Sequence, residues 1–138
     1  MTRAGNEVYD GPGDLPPVVP VFPLAGVLLL PRRLLPLNVF EPRYLAMVEA
    51  ALAGDRLIGM IQPKLGGTAV VAARPPLEAV GCLGRLTQYA ETGDGRLMIG
   101  LTGITRFRIV EELATTTPYR QVRIDAADFL GDFEAGRG

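Results

Sequence analysis

The stretch from Val18 to Pro31, VVPVFPLAGVLLLP, carries no charge over fourteen residues and is interrupted by Pro20, Pro23 and Pro31. A helix needs about 20 apolar residues to span a bilayer, and each proline removes a backbone donor that a helix would use. A secretory leader would place basic residues directly before the apolar segment, whereas Glu7, Asp10 and Asp14 precede this one. The run therefore reads as extended chain with proline punctuation, buried in a soluble fold rather than in a membrane.

The chain of 138 residues suits one domain. Met1 to Pro17 is rich in Gly, Pro and acids and reads as a flexible tail, and 131–138 reads as a second one. Between them lies a folded unit, 18–130. Val18–Leu24 is the first strand, Gly26 permits a turn, Val27–Leu30 continues extended, and Leu35–Phe40 leads into a helix. That helix, Glu41–Ala53, has Pro42 at its first position, where a missing N–H does no harm. Glu41 brings negative charge to its N-terminus. Tyr44, Leu45, Val48, Ala51 and Leu52 recur at helical spacing, and Gly54 is expected as a left-handed cap.

Arg56–Gln62, Ala79–Tyr89, Arg96–Thr102, Ile104–Val110 and Tyr119–Asp125 read as strands, and Ala69–Ala73 as a weak apolar segment. Val80, Cys82, Leu83 and Leu86 are core candidates in the second of these. Glu91-Thr-Gly-Asp-Gly95 is a hairpin turn in which Asp-Gly supplies positive φ. Gly103 marks a bend or bulge. In Ile104–Val110, Arg106 and Arg108 face one way, Phe107 and Ile109 the other. The fold class is mainly β with one principal helix (α+β), six or seven strands closing into a barrel or a two-sheet sandwich.

Much chemistry is excluded. The chain has no histidine and no serine, which removes Ser-His, Cys-His and Ser-Lys nucleophiles and imidazole metal ligands. No phosphate-binding Gly-rich loop or GxSxG elbow occurs. The single cysteine, Cys82, reads as a small buried apolar residue, and one cysteine rules out an internal disulfide and suggests a reducing, cytoplasmic setting. Glu111 and Glu112 are adjacent at a strand end and point to opposite faces. Asp128, Asp132 and Glu134 match no calcium-loop spacing. No catalytic residue, cofactor site or metal site is expected. An enzymatic reading would need a deep pocket with converging carboxylates.

Two binding readings follow from the residues. Arg106, Arg108, Arg120 and Arg123, with Tyr89 and Tyr119, form the start of an RNA-binding stripe, against which stands a net charge of −1. The stretch 28–37 carries six leucines, more than alternation can bury. Leu28, Leu30, Leu34 and Leu35 are thus candidates for an apolar, polypeptide-binding surface, unless the helix covers them.

The runs VFPLAGVLLLP (21–31) and LPLNVFEPRY (35–44) resemble the N-terminal substrate-binding domain of ATP-dependent protease Lon, and most closely the stand-alone bacterial proteins carrying that domain alone. VGCLGRL (80–86), GDGR (93–96) and LTGITRFRI (101–109) agree in order and spacing. The resemblance implies a PUA-like pseudobarrel that recognises polypeptide substrates, with the ATPase and peptidase activities residing in domains not present here. It implies structural roles, as cap, turn and core, for Phe22, Pro23, Gly26, Phe40, Glu41, Pro42, Arg43 and Tyr44. RNA binding by PUA-like barrels is the alternative it carries. Because the family's usual helical segment does not follow the barrel, Phe129, Leu130 and Phe133 are expected to lie uncovered and to favour a homodimer.

Overall fold

The computed structural model describes residues 1–64 and 75–134. Among these, the elements run β1 (Thr2–Ala4), β2 (Glu7–Tyr9), β3 (Val18–Pro23), β4 (Leu34–Val39), α1 (Pro42–Ala53), β5 (Leu57–Ile61), β6 (Val80–Glu91), β7 (Leu97–Glu112) and β8 (Arg120–Asp125), with 3-10 turns at Pro12–Asp14 and Ala127–Phe133. The expected segment Ala69–Ala73 lies outside the described residues.

The main sheet has the order β4-β7-β6-β5-β3-β8, and β8 also pairs with β7. That second pairing closes β3, β5, β6, β7 and β8 into a barrel. β7 makes this possible because it is sixteen residues long. Its first part, Leu97–Thr102, pairs with β4, and its last part, Arg108–Glu112, with β8. β4 therefore lies outside the ring and keeps one edge unpaired among the described strands, which suits Pro36, a residue confined to edge strands. The bulge expected at Gly103 is present: Leu83 faces Thr105 and Gly84 faces Gly103, which leaves Ile104 as the extra residue.

Alternation divides the apolar residues between two cores. Val19, Val21, Leu57, Ile61, Leu83, Ile104, Phe107 and Val122 fill the barrel. Ile58, Met60, Cys82, Leu86, Ile99 and Leu101 point outward and form a second core together with Tyr44, Met47, Val48 and Ala51 of α1. β5 is buried along all five residues because both its faces are covered. Phe22 stacks on Tyr44 with ring centroids 4.2 Å apart, fixing the helix to β3. Met47, fully buried, belongs to the helix's inner stripe although its neighbours carry the periodicity.

Three expectations are corrected. Residues 1–17 are not a loose tail. β1 and β2 pair through a two-residue turn in which Gly5 has φ +61, and Ala4 and Tyr9 join the barrel core. The turn Gly5-Asn6 is a hairpin signal, but three-residue strands are too short for periodicity to register. At the other end, Phe133 is 2% exposed and closes the same core rather than lying uncovered, while Leu130 is exposed and 135–138 lie outside the described residues. Gly54 is not left-handed; Arg56 is, with φ +62. The N–H groups of both Gly54 and Arg56 reach the carbonyl of Ala51, and the carbonyl of Arg56 accepts from Leu86. The chain thus turns two residues later, where β6 can hold it. No helix among the described residues is long and apolar enough to cross a membrane.

Candidate functional site

Between β3 and β4 the chain runs over the outer face of the barrel, where Leu29 joins the same core as the inner face of α1. The Leu24 N–H donates to the Ile61 carbonyl at 3.1 Å. The Gln62 side chain then pins the turn: its amide donates to the Val27 carbonyl at 2.6 Å, and its Oε1 accepts from the Gly26 N–H at 3.1 Å. Gly26 has φ +76, which glycine adopts without strain. At the far end Arg32 N–H donates to Gly103 O at 2.8 Å and Gly103 N–H to Arg33 O at 2.9 Å. Gly103 is required there, since a Cβ would stand 2.0 Å from the Leu30 carbonyl oxygen.

A strap fixed at both ends presents its side chains in a set order. Leu29 points down, is 3% exposed, and sits over Gly84, where a Cβ would come within 2.8 Å of it. Leu28 and Leu30 point away, 70% and 48% exposed. Beneath them lies a mostly apolar cavity of about 150 Å³, bounded by the strap, by Met60, Val80 and Cys82, and by Arg106 at its rim. Val80 is exposed here rather than in the core. Burial pushes the Cys82 thiol up to about 12, and the Asp132 charge adds to this, so the thiol is an apolar wall rather than a nucleophile.

At the strap's far end the cavity adjoins a wider cleft of about 480 Å³, which shares Leu30 and Arg106 with it and is otherwise lined by Pro31, Arg32, Arg33, Gly131 and Asp132. Asp132 accepts the Arg106 backbone N–H at 2.9 Å and its guanidinium at 3.0 and 3.1 Å. Burial alone would raise the Asp132 pKa. The hydrogen bonds and charge of Arg106, helped by the charge of Arg32, more than offset it and hold the carboxyl below its ordinary range. Arg32 sits in the left-handed region, φ +65, and donates to the Asp132 carbonyl at 3.0 Å.

A family model described as the substrate-binding domain of ATP-dependent protease La (LON) matches residues 18–134. The chain belongs to that family. It is 29% identical over 105 residues to the Lon protease of Desulfosudis oleivorans, covering 76% of this chain and 13% of that protein. It is 31% identical over 116 residues to the Lon protease of Dictyoglomus thermophilum, covering 83% of this chain and 14% of that one. The chain thus spans about one seventh of the curated relatives it matches. Among solved structures it is similar to a Lon N-terminal domain protein from Xanthomonas campestris (TM-score 0.62, 28% identity, 78% of this chain and 58% of that chain). It also shares its fold with the N-terminal domain of a Mycobacterium avium complex Lon protease (TM-score 0.60, 18% identity, 80% of this chain and 54% of that chain).

Within this Lon substrate-binding domain the leucines singled out from sequence separate. Leu28 and Leu30 border the groove. Leu34, 49% exposed, lies on the outward face of β4 over Gly100 and does not line it. Leu35 is half-buried against the helix core. Of the motif residues, Phe22 and Tyr44 are core and Pro42 opens the helix. Glu41 caps it through its backbone while its side chain accepts from Arg43 at 3.2 Å. Pro23 ends β3. Phe40 is not core: it is 61% exposed, with the Arg96 guanidinium 5.9 Å from its ring.

The arginines of the RNA reading are each paired: Arg106 with Asp132, Arg108 with Asp128, Arg120 with Glu112 and Arg123 with Glu111. Tyr119 packs toward the helix core, lining a different cavity from Arg106. No group of three or more acidic or sulfur ligands suited to a metal occurs among the described residues. Nothing in the sequence singles out Gln62, Arg32 or Arg33 as site residues, and Asp132 enters there only as a candidate cation ligand. They are ordinary polar residues whose convergence is produced only by the closed topology.

Proposed function

We propose that this chain is a non-catalytic polypeptide-recognition module that takes an apolar side chain of an unfolded or exposed segment into the groove between the 24–33 strap and β5–β6. The observation that carries this reading is the pair Leu28 and Leu30, held outward over an apolar cavity by hydrogen bonds at both ends of the strap. Fixing these side chains in advance removes part of the ordering entropy that binding opposes. Each well-buried apolar contact contributes about 1.5–3 kcal/mol, so a few give micromolar affinity. The edge of β4 that no described strand pairs offers main-chain donors and acceptors to an extended segment nearby, with Leu34 on its outer face. The family's description as substrate-binding supports the same reading, and the one unpaired cysteine fits a reducing cytoplasm.

The test is titration of a labelled, permanently unfolded protein, followed by anisotropy. Binding in the micromolar range is expected, weakened about tenfold or more by Leu28→Asp with Leu30→Asp, while the urea midpoint stays near that of the parent because both side chains are exposed. Lack of binding at high micromolar concentration by the folded chain would overturn the proposal.

A further inference from the structure

We infer that the groove and the arginine cleft beside it act as one bipartite site, whose preferred occupant is a segment carrying acidic side chains next to its apolar anchor; this rests on the polypeptide-binding reading above. The two depressions lie side by side and share Leu30 and Arg106 in their walls. Three guanidiniums, of Arg32, Arg33 and Arg106, line the cleft against one carboxylate, Asp132. Asp132 is occupied by Arg106, and Arg32 meets only its backbone carbonyl. The cleft therefore keeps an excess of positive charge on a chain whose net charge is −1, and an occupant leaving the apolar groove past Leu30 meets that charge first.

The same geometry selects carboxylate side chains over a chain terminus. Capture of a terminal carboxylate uses a nest of free backbone N–H groups. Here the N–H groups of Arg32, Arg33 and Arg106 are already given to Gly103 O, Leu30 O and Asp132 Oδ2. These three residues are left with only their guanidinium side chains to recognise an anion. They are long, and they suit acids that project from a passing chain.

The test uses the full chain and three rhodamine-labelled peptides, acetylated and amidated so that terminal charge is absent. Each carries two leucines followed by a pair of Glu, Gln or Lys. At low ionic strength the Glu peptide should bind about fivefold tighter than the Gln peptide, the scale of a partly exposed ion pair, and the Lys peptide weakest. The difference should vanish between roughly 0.01 M and 1 M salt as screening shortens. Arg33→Gln, at an exposed position outside the strap's hydrogen-bonded side chains, should reduce the advantage of the Glu peptide over the Gln peptide; an undiminished advantage would overturn the inference. Equal affinities of Glu and Gln peptides at low salt would overturn the inference and leave the polypeptide reading standing. A free-acid Gln peptide matching the Glu peptide would reassign the cleft to a terminus and also overturn it. Failure of all three peptides to bind would remove both.

Discussion

Asp132 shows how much one side chain can carry in this molecule. Its carboxylate holds Arg106 on β7, and its carbonyl accepts both Arg32 from the strap and the hydroxyl of Thr2 at 2.8 Å from β1. Its folded pKa is depressed, so the unfolded state takes up the proton more readily. Its contribution is then complete above the unfolded value near 4 and is lost as pH falls through the lower folded value. Asp132→Asn should destabilise by about 1 kcal/mol at neutral pH, since Arg106 is half exposed and screened. Urea titrations at successive pH values should show that deficit shrinking below about pH 4; a deficit constant down to pH 2 would assign the loss to packing instead.

Among the elements, the strap is the most tightly specified. Gly103→Ala places a methyl against the Leu30 backbone carbonyl, with nothing flexible to yield. A loss of about 3 kcal/mol is expected, with weakened peptide binding as the strap is displaced. Gly131→Ala, whose added Cβ meets nothing within 4 Å, should be nearly neutral and serves as the control in the same urea series. The elements themselves were largely legible in the sequence. Pro42, the 3.6-residue spacing from Tyr44 to Leu52, and the turn at Gly93 to Gly95 are local signals, and the structure carries α1 and the β6–β7 hairpin where those residues put them. The strap was legible only as a surplus of leucine. Which of them would point outward depends on hydrogen bonds from Gln62 and Gly103, and nothing in a linear pattern announces those partners.

For the molecule as a whole, the two ends close the barrel core together: Ala4 and Tyr9 from one, Ala126 and Phe133 from the other. Tyr9 also accepts a hydrogen bond from Arg85 at 3.2 Å. Removing residues 1–10 should therefore lower stability by about 2–4 kcal/mol, the burial of one large and a few small side chains. A truncated chain as stable as the parent would mean that the hairpin is ornamental. The composition of this segment, Gly, Pro and acids, describes a tail well, and it misleads because burial depends on three positions only, Thr2, Ala4 and Tyr9.

The pairing of β3 with β8 has a further consequence. Val18–Val21 bonds to Arg120–Arg123, roughly a hundred positions downstream. A ring sealed by such distant partners forms slowly, because loop entropy must be surrendered before the closing contacts reward it. While the polypeptide is still emerging from the ribosome, β3 has no antiparallel neighbour to receive. During that interval its greasy, proline-broken edge is exposed to other nascent chains, and Pro20 and Pro23 then serve as guards against intermolecular pairing.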